Sequence, residues 1–442
     1  RSIVACYQFF IVAVYTRGLP RLYNHDLPSH YMTQYVEYSH DVDAKHASNL
    51  GEESVSNKVQ AVKELVKNAY DADAENVWVE LVGHDTQDIS VKEITKITVR
   101  DDGYAMTDED FKTKFFRIGT KDKIDRPSSP IHGRRVVGEK GMGHYAAKRL
   151  GSVIKAMSSP LDYAGREASQ SMDKTIMVTL DWREFKPGLD FTEIKSKGEI
   201  TERNLDQGQG LLLEISELTD NKWTVDEIKQ LRIELSMMIA PSELRDSDYE
   251  DKFTISIMAP GLPEREQGPI REDTTGLNMA LFKITATARY DKAKNNTNVS
   301  FKIEKRVSAK TAEKGFIWDR QEHNKKYQNS KTFEGGFGDA TLVVYWYPQG
   351  GEFRREQKRI IGSKLLQKFL QTYSGIKLFQ DGFSISGFGE REHAMYDWAG
   401  LDLRMLRAFR LGGMIRLDTV VGYVSLTRDG NPGIREVASR QA

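Results

Sequence analysis

The chain has 442 residues, 39% of them hydrophobic, enough for about two or three domains that each bury a core. Its 64 Lys and Arg balance 64 Asp and Glu, so no global field draws it to nucleic acid or an anionic membrane, and any such contact needs a local patch. One cysteine, Cys6, excludes a disulfide framework and a cysteine-based zinc site and fits a reducing, cytoplasmic setting.

The longest apolar run, Ile3 to Tyr15, falls short of the about 20 residues a membrane helix needs, so no span is expected. Residues 1–31 read as an N-terminal extension, unstructured or not native, ahead of a polar stretch opening at Met32. From Ser54 to about Leu81 a helix feeds a strand: Val62, Leu65, Val66 and Ala69 recur at helical spacing before the alternating Val77 to Leu81. Ile97 to Arg100 predicts a second strand ending at Asp101, with Gly103 in the turn. Lys121 to Val137 is polar and contains Pro, which predicts a mobile loop closed by Gly138, and a short helix opens at His144. Thr175–Leu180 and Leu211–Ile215 read as strands, and Thr224 to Ile239 as an amphipathic helix stopped by Pro241. That stop sets a domain boundary, giving 32–240 and 241–442. Beyond it come hairpin strands Phe282–Tyr290 and Val299–Ile303, a strand at Ala340–Tyr347, a helix near Gln357–Thr372 and a strand at Val420–Leu426. Each half is expected to be α/β, an α+β two-layer sandwich of helices over a mixed sheet.

Three short segments carry candidate chemistry. In Glu64 to Ala72, the residues Glu64, Asn68 and Asp71 fall in one stripe at about 100° per residue, apart from the apolar stripe. A carboxylate and an amide one turn apart suit deprotonation of water by Glu64 and oxygen ligation of Mg²⁺ by Asn68; a solvated amphipathic helix shows the same pattern. Asp101-Asp102-Gly103-Tyr104-Ala105-Met106 puts a carboxylate at a strand end, where it can accept from an exocyclic amine, with Met106 as a soft wall; an ordinary Asp-Gly turn also fits. Gly138-Glu139-Lys140-Gly141-Met142-Gly143 precedes a helix, so its backbone N–H groups can turn toward a phosphate. It is neither a P-loop, since no Lys-Ser/Thr follows, nor a Rossmann fingerprint.

In this order the three segments resemble the N-box, the Asp-x-Gly box and the lid glycine box of the GHKL superfamily of ATPases, which takes in gyrase, heat-shock chaperones, histidine kinases and MutL. The resemblance covers about Gly51 to Ile239. It implies a Bergerat fold that binds ATP with Mg²⁺: Glu64 as general base, Asn68 on the metal, Asp71 beside it, Asp101 and Gly103 at the adenine, Met106 against the base, and Gly138, Lys140, Gly141, Met142 and Gly143 around the phosphates. Gly119-Thr120-Lys121 resembles the lid entrance, making Thr120 and Lys121 phosphate neighbours. Two positions depart from the pattern: Ala105 replaces a further glycine, and Gly210-Leu211 replaces a Gly-Thr whose hydroxyl assists the adenine-reading Asp.

Residues 241–442 resemble the transducer-like domain of the heat-shock, gyrase and MutL branches, with Arg440 placed like an arginine on the γ-phosphate; a solvated tail arginine is the alternative. Arg354, Arg355, Arg359, Lys364 and Lys368, with Arg404, Arg407, Arg410 and Arg416, form basic clusters that fit either a solvated face or a nucleic-acid backbone. The histidine-kinase branch fits poorly, since only a short segment precedes Glu64. The expectation is a slow ATPase that closes its lid over ATP, orders a homodimer and signals nucleotide state to a client protein or DNA. The rivals are a nucleotide-gated DNA or protein clamp and a pseudo-ATPase.

Overall fold

The computed structural model describes residues 43–45, 49, 55, 57–117, 125–137, 143–163, 173–203, 208–244, 252–271, 274–291, 293, 296–306, 310–319, 338–349, 353, 355, 357, 363–385, 387–391, 395–402, 415–427 and 430–431. The expected extension at 1–31 lies outside them.

Helix α1 spans Lys58–Asp71. Asn57 caps it by accepting from the Gln60 N–H at 2.9 Å, and Val62, Leu65, Val66 and Ala69 turn into the core, as their spacing requires. The helix ends where Asp73 takes a left-handed φ of 60°. The chain then enters β1 (Asn76–Asp85), whose Val77, Val79 and Leu81 are buried in alternation, and returns antiparallel as β2 (Val91–Asp101).

Seven more strands complete the first sheet: β3 (Gly151–Ser159), β4 (Lys174–Asp181), β5 (Lys197–Glu202), β6 (Gly210–Leu218), β7 (Lys222–Thr224), β8 (Thr254–Met258) and β9 (Gly268–Pro269). Among the described residues their order is β5-β4-β3-β6-β2-β1-β8-β9, with β7 on the end of β2. Helix α2 (Val225–Ser236), held by a Thr224–Glu227 capping box, packs Ile228, Leu231 and Leu235 into the same core as α1. The core is thus one layer between helices and sheet.

The expected boundary at 240/241 does not match the sheet. Strand β8 pairs in parallel with β1, from Asn76–Thr254 to Glu80–Met258, so the first sheet continues to Pro269. Pro241 stops a helix, but the open edge of β1 needs a partner, and the chain supplies it later.

The second sheet holds β10 (Phe282–Asp291), β11 (Asn296–Lys305), β12 (Lys310–Asp319), β13 (Ala340–Trp346), β14 (Gly375–Gln380), β15 (Phe383–Ser384) and β16 (Val420–Leu426), ordered β12-β11-β10-β13-β16-β14-β15 among the described residues. Helix α3 (Ser363–Tyr373) lays Leu366, Phe369 and Leu370 against Val343, Tyr345 and Val421. The other face meets residues 396–401, where Trp398 Nε1 donates to the Ile376 carbonyl at 2.6 Å. Both halves are therefore mixed α/β layers, in accord with the sequence. Strand β14 opens at Gly375, and all six of its residues are buried, so no polar alternation marks it in the sequence.

The two sheets meet at the β14–β15 hairpin. Asp381 and Gly382, with φ of 52° and 83°, make its turn. Ala240 N–H donates to the Gly382 carbonyl and Ser384 N–H to the Met238 carbonyl, both at 2.9 Å, and the Phe383 ring packs 4.9 Å from that of Tyr70 on α1. No helix among the described residues is long and apolar enough to cross a membrane.

Candidate nucleotide site

From Ala61 to Asp71, helix α1 is buried at every position except Glu64 and Asn68, which are half-buried. The apolar stripe and the tethering of the helix end hide the rest, so this carboxylate and amide, one turn apart, are the polar groups of the segment that stay accessible. Lys67 Nζ lies 3.7 Å from Glu64 Oε1. The 3-10 helix Gly143–Arg149 packs against α1, with Tyr145 and Ala147 in the shared core. Gly143 thus begins the element that packs on α1.

Asp71 is buried, and its Oδ1 accepts from the Val137 N–H at 2.7 Å. It therefore ties down the residue immediately before Gly138. Asp73 does the same further back, accepting from the Ser129 hydroxyl and from the Ile131 and His132 N–H groups at 2.8 and 3.2 Å. Arg134, itself buried, donates to the Ala74 carbonyl and lies 4.9 Å over the Tyr70 ring. The expected mobile loop is thus pinned at residues 128–137, because two carboxylates at the end of α1 gather its backbone N–H groups. Its polar composition concealed this; the buried partners belong to α1.

Asp101 ends β2 with its side chain buried. Its Oδ1 accepts from the Gly103 N–H at 3.0 Å and, weakly, from the Leu211 N–H at 3.4 Å. Burial pushes its carboxyl up to about 7 from the ordinary 3.8, against the pull of those two N–H groups. Asp102 turns the other way and braces β1, accepting from the Glu75 and Asn76 N–H groups, each at 2.8 Å. Gly103 must be glycine, since a Cβ there would stand 2.3 Å from the Ala72 carbonyl oxygen at the end of α1. Gly210, with φ +113°, must be as well: its Cβ would lie 1.9 Å from the Asp101 carbonyl oxygen. These close approaches join the Asp101 turn to both α1 and β6.

The two departures from the family pattern have different consequences. Leu211 supplies no hydroxyl, but its backbone N–H faces the carboxylate. Ala105 adopts φ 52°, the left-handed region that costs an L-residue about 1–2 kcal/mol. Next to it, both backbone groups of Met106 are bonded to one side chain: its N–H donates to Ser158 Oγ at 2.8 Å, and that hydroxyl donates to its carbonyl at 2.7 Å. Met106 itself is half-buried and packs against the first core. Sequence reading missed Ser158, Asp73 and Arg134. A Ser-Ser pair inside an apolar strand was the available signal for the first, since buried hydroxyls require partners.

Thr120, Lys121, Gly138, Lys140, Gly141, Met142 and Arg440 lie outside the described residues, as do Arg354, Arg359, Arg404, Arg407 and Arg410. Of the basic clusters, Arg355, Lys364 and Lys368 are exposed, and Arg416 pairs with Asp418 at 2.8 Å. A separate cleft, bordered by Arg135, Val137, Gln380 and Ser384, opens where the pinned segment meets the β14–β15 hairpin; neither Glu64 nor Asp101 lines it.

Residues 55–195 match a family model described as histidine kinase-, DNA gyrase B- and HSP90-like ATPase. The stretch contains all three segments, from Glu64 to Gly143, together with the strands β1 to β4 that carry or flank them. The chain is also 34% identical over 111 residues to the Herpetosiphon aurantiacus protein named "Putative type II restriction enzyme HgiDII". That match takes in 25% of this chain and only 16% of the relative's length. Residues 55–195, with a buried aspartate ending β2 beside a helix whose accessible polar stripe is Glu64 and Asn68, are thus similar to the ATPase domain of the GHKL superfamily.

Proposed function

We propose that the chain binds ATP with Mg²⁺ against α1 and the Asp101 turn, hydrolyses it slowly, and uses nucleotide state as a conformational signal. The observation that carries this is the buried Asp101 carboxyl, which has two backbone N–H groups on one oxygen and gains from a further donor such as the adenine amine. The match of residues 55–195 to a family model described as an ATPase supports the reaction. Glu64 is the general base and Asn68 the protein's oxygen ligand for the metal. When bound, Mg²⁺ would be held by Asn68, an oxygen ligand suited to a hard cation, and would neutralise charge on the phosphates.

In this reading Asp71 acts through Val137 by setting the entry to the glycine box. Gly138, Lys140, Gly141, Met142 and Gly143 cradle the phosphates, with Thr120 and Lys121 at the lid entrance and Arg440 reaching the γ-phosphate. Residues 32–240 with the added strands β8 and β9 form the ATPase module, and the second sheet acts as a transducer of heat-shock or MutL type. Lid closure orders a homodimer in the cytoplasm.

The test is ATP binding and turnover by the wild type, Glu64→Ala and Asp101→Asn, with particle mass recorded with and without a non-hydrolysable analogue. Glu64→Ala should keep binding and lose about 100-fold or more in kcat. Asp101→Asn should weaken binding by about tenfold or more. If Glu64→Ala abolishes binding together with turnover, the general-base role is wrong.

A second reading, a nucleotide-gated DNA clamp, is favoured by the restriction-enzyme name of the relative and by the exposed Arg355, Lys364 and Lys368. DNA retention that falls with salt and with reversal of those charges would select it over a chaperone-like clamp on polypeptide.

A further inference from the structure

Ser158 sits at the one place where the base wall, the missing hydroxyl and the strained turn come together. Across β3 and β6 it pairs with Leu211, and the Leu211 N–H points at Asp101. Cross-strand partners share a face, so Ser158, Leu211 and Asp101 form one row on the inner side of the sheet. Leu211 leaves that row without a hydroxyl in its expected position, while Ser158, one strand away, is fully buried and contributes one. Its hydroxyl both accepts from and donates to the backbone of Met106, at 2.8 and 2.7 Å. A hydroxyl can serve one N–H and one C=O of the same residue at once, and no apolar side chain of this size can.

We propose that Ser158 is a positioning residue for nucleotide binding: it clamps Met106 to β3, keeps Ala105 in its left-handed conformation, and so fixes the base wall beside Asp101. The inference rests on the ATP reading of this pocket. Ala105 disfavours its own φ of 52°, and the turn that carries it is fastened on both sides, by Tyr104 N–H on the Ala72 carbonyl at 2.9 Å and by Ser158 on Met106. Releasing the second fastening lets Ala105 relax and moves Met106 away from the base. A glycine at 105 tolerates the left-handed form without the clamp. The strain and the clamp should therefore be coupled.

The experiment measures ATP Kd, KM, kcat and the urea midpoint for the wild type, Ser158→Ala, Ser158→Cys, Ala105→Gly and the Ser158→Ala/Ala105→Gly pair, with Asp101→Asn alongside. Ser158→Ala should raise Kd and KM by about tenfold, more than it lowers kcat, and Ser158→Cys, with its weaker bonds, by less. Ala105→Gly alone should change Kd by about twofold or less, yet in the Ser158→Ala background recover at least about half of the lost affinity, a non-additivity that a purely structural serine would not produce. Wild-type ATP binding that weakens in Asp101→Asn, with unchanged Kd in folded Ser158→Ala, overturns the inference and leaves the ATP reading of the site standing. Absence of ATP binding by the folded wild type overturns both. Should Ser158→Ala not fold, the Cys variant gives the deciding Kd.

Discussion

Burial at the end of β2 leaves the Asp101 carboxyl titrating near neutrality, at about 7 rather than 3.8, so its charge changes around neutral pH. The folded-state value is raised, so the stability this group contributes is fully present below about 3.8 and is lost as pH rises through about 7. An amine donor from adenine favours the ionised form and reverses that loss. Binding should then release a proton, and ATP affinity should rise between about pH 6 and about pH 8, by at most about tenfold per unit, before levelling off. Titration calorimetry in buffers of different ionisation enthalpy measures the proton directly. Asp101→Asn should abolish both the release and the pH slope; a slope that survives the substitution assigns the titration elsewhere. The aspartate was legible in sequence because a strand run stops at Asp-x-Gly, while its suppressed ionisation depends on burial where β6 and the end of α1 close on the turn.

At the scale of elements, the notable correction is the loop that is not free. Residues 128–137 lack an apolar period, and by sequence they read as mobile, yet Asp71 and Asp73 at the end of α1 collect four of the segment's donors: the Ser129 hydroxyl and the N–H groups of Ile131, His132 and Val137. Replacing Asp73 with alanine orphans a buried hydroxyl and two N–H groups, at a local cost of about 2–3 kcal/mol. Limited proteolysis should then cut within 126–137 about tenfold or more faster, and the Ile131 and His132 amides should lose exchange protection while β1 and β2 keep theirs. Unchanged cleavage would show that the segment is held by Arg134 and Asp71 alone. Helix α1 thus does two jobs from one sequence. Its apolar stripe packs, and its C-terminal acids organise the strand of chain leading to the glycine box.

Across the molecule, the two sheets are joined by a small apolar plug and a few backbone bonds. Phe383, buried in the first core although it belongs to the second sheet, packs at a tilt against Tyr70, and the hairpin around it bonds to Met238 and Ala240. Tyr70 on α1 and Phe383 on the hairpin thus join the first core directly to the second sheet. Phe383→Ala should cost about 3–5 kcal/mol by opening that contact. Urea unfolding should separate into two transitions, followed by tryptophan fluorescence from Trp182 and Trp223 in one half and Trp346 and Trp398 in the other. A single cooperative transition with unchanged midpoint would place the coupling elsewhere.

The sequence by itself determined α1, β1, β2 and the Asp101 turn, because helical and strand periods and an Asp-x-Gly at a strand end are local properties that survive in one dimension, and its three motifs carried the likeness to GHKL ATPases that residues 55–195 bear out. Only the tertiary structure decided that β8 completes the first sheet, that fully buried β14 is a strand, that Asp71 and Asp73 hold a loop, and that Ser158 stands behind Met106. Each of these is a pairing between residues distant in the chain. It arises because buried hydrogen-bonding groups must find partners in space, and no spacing rule along the sequence records where that partner lies.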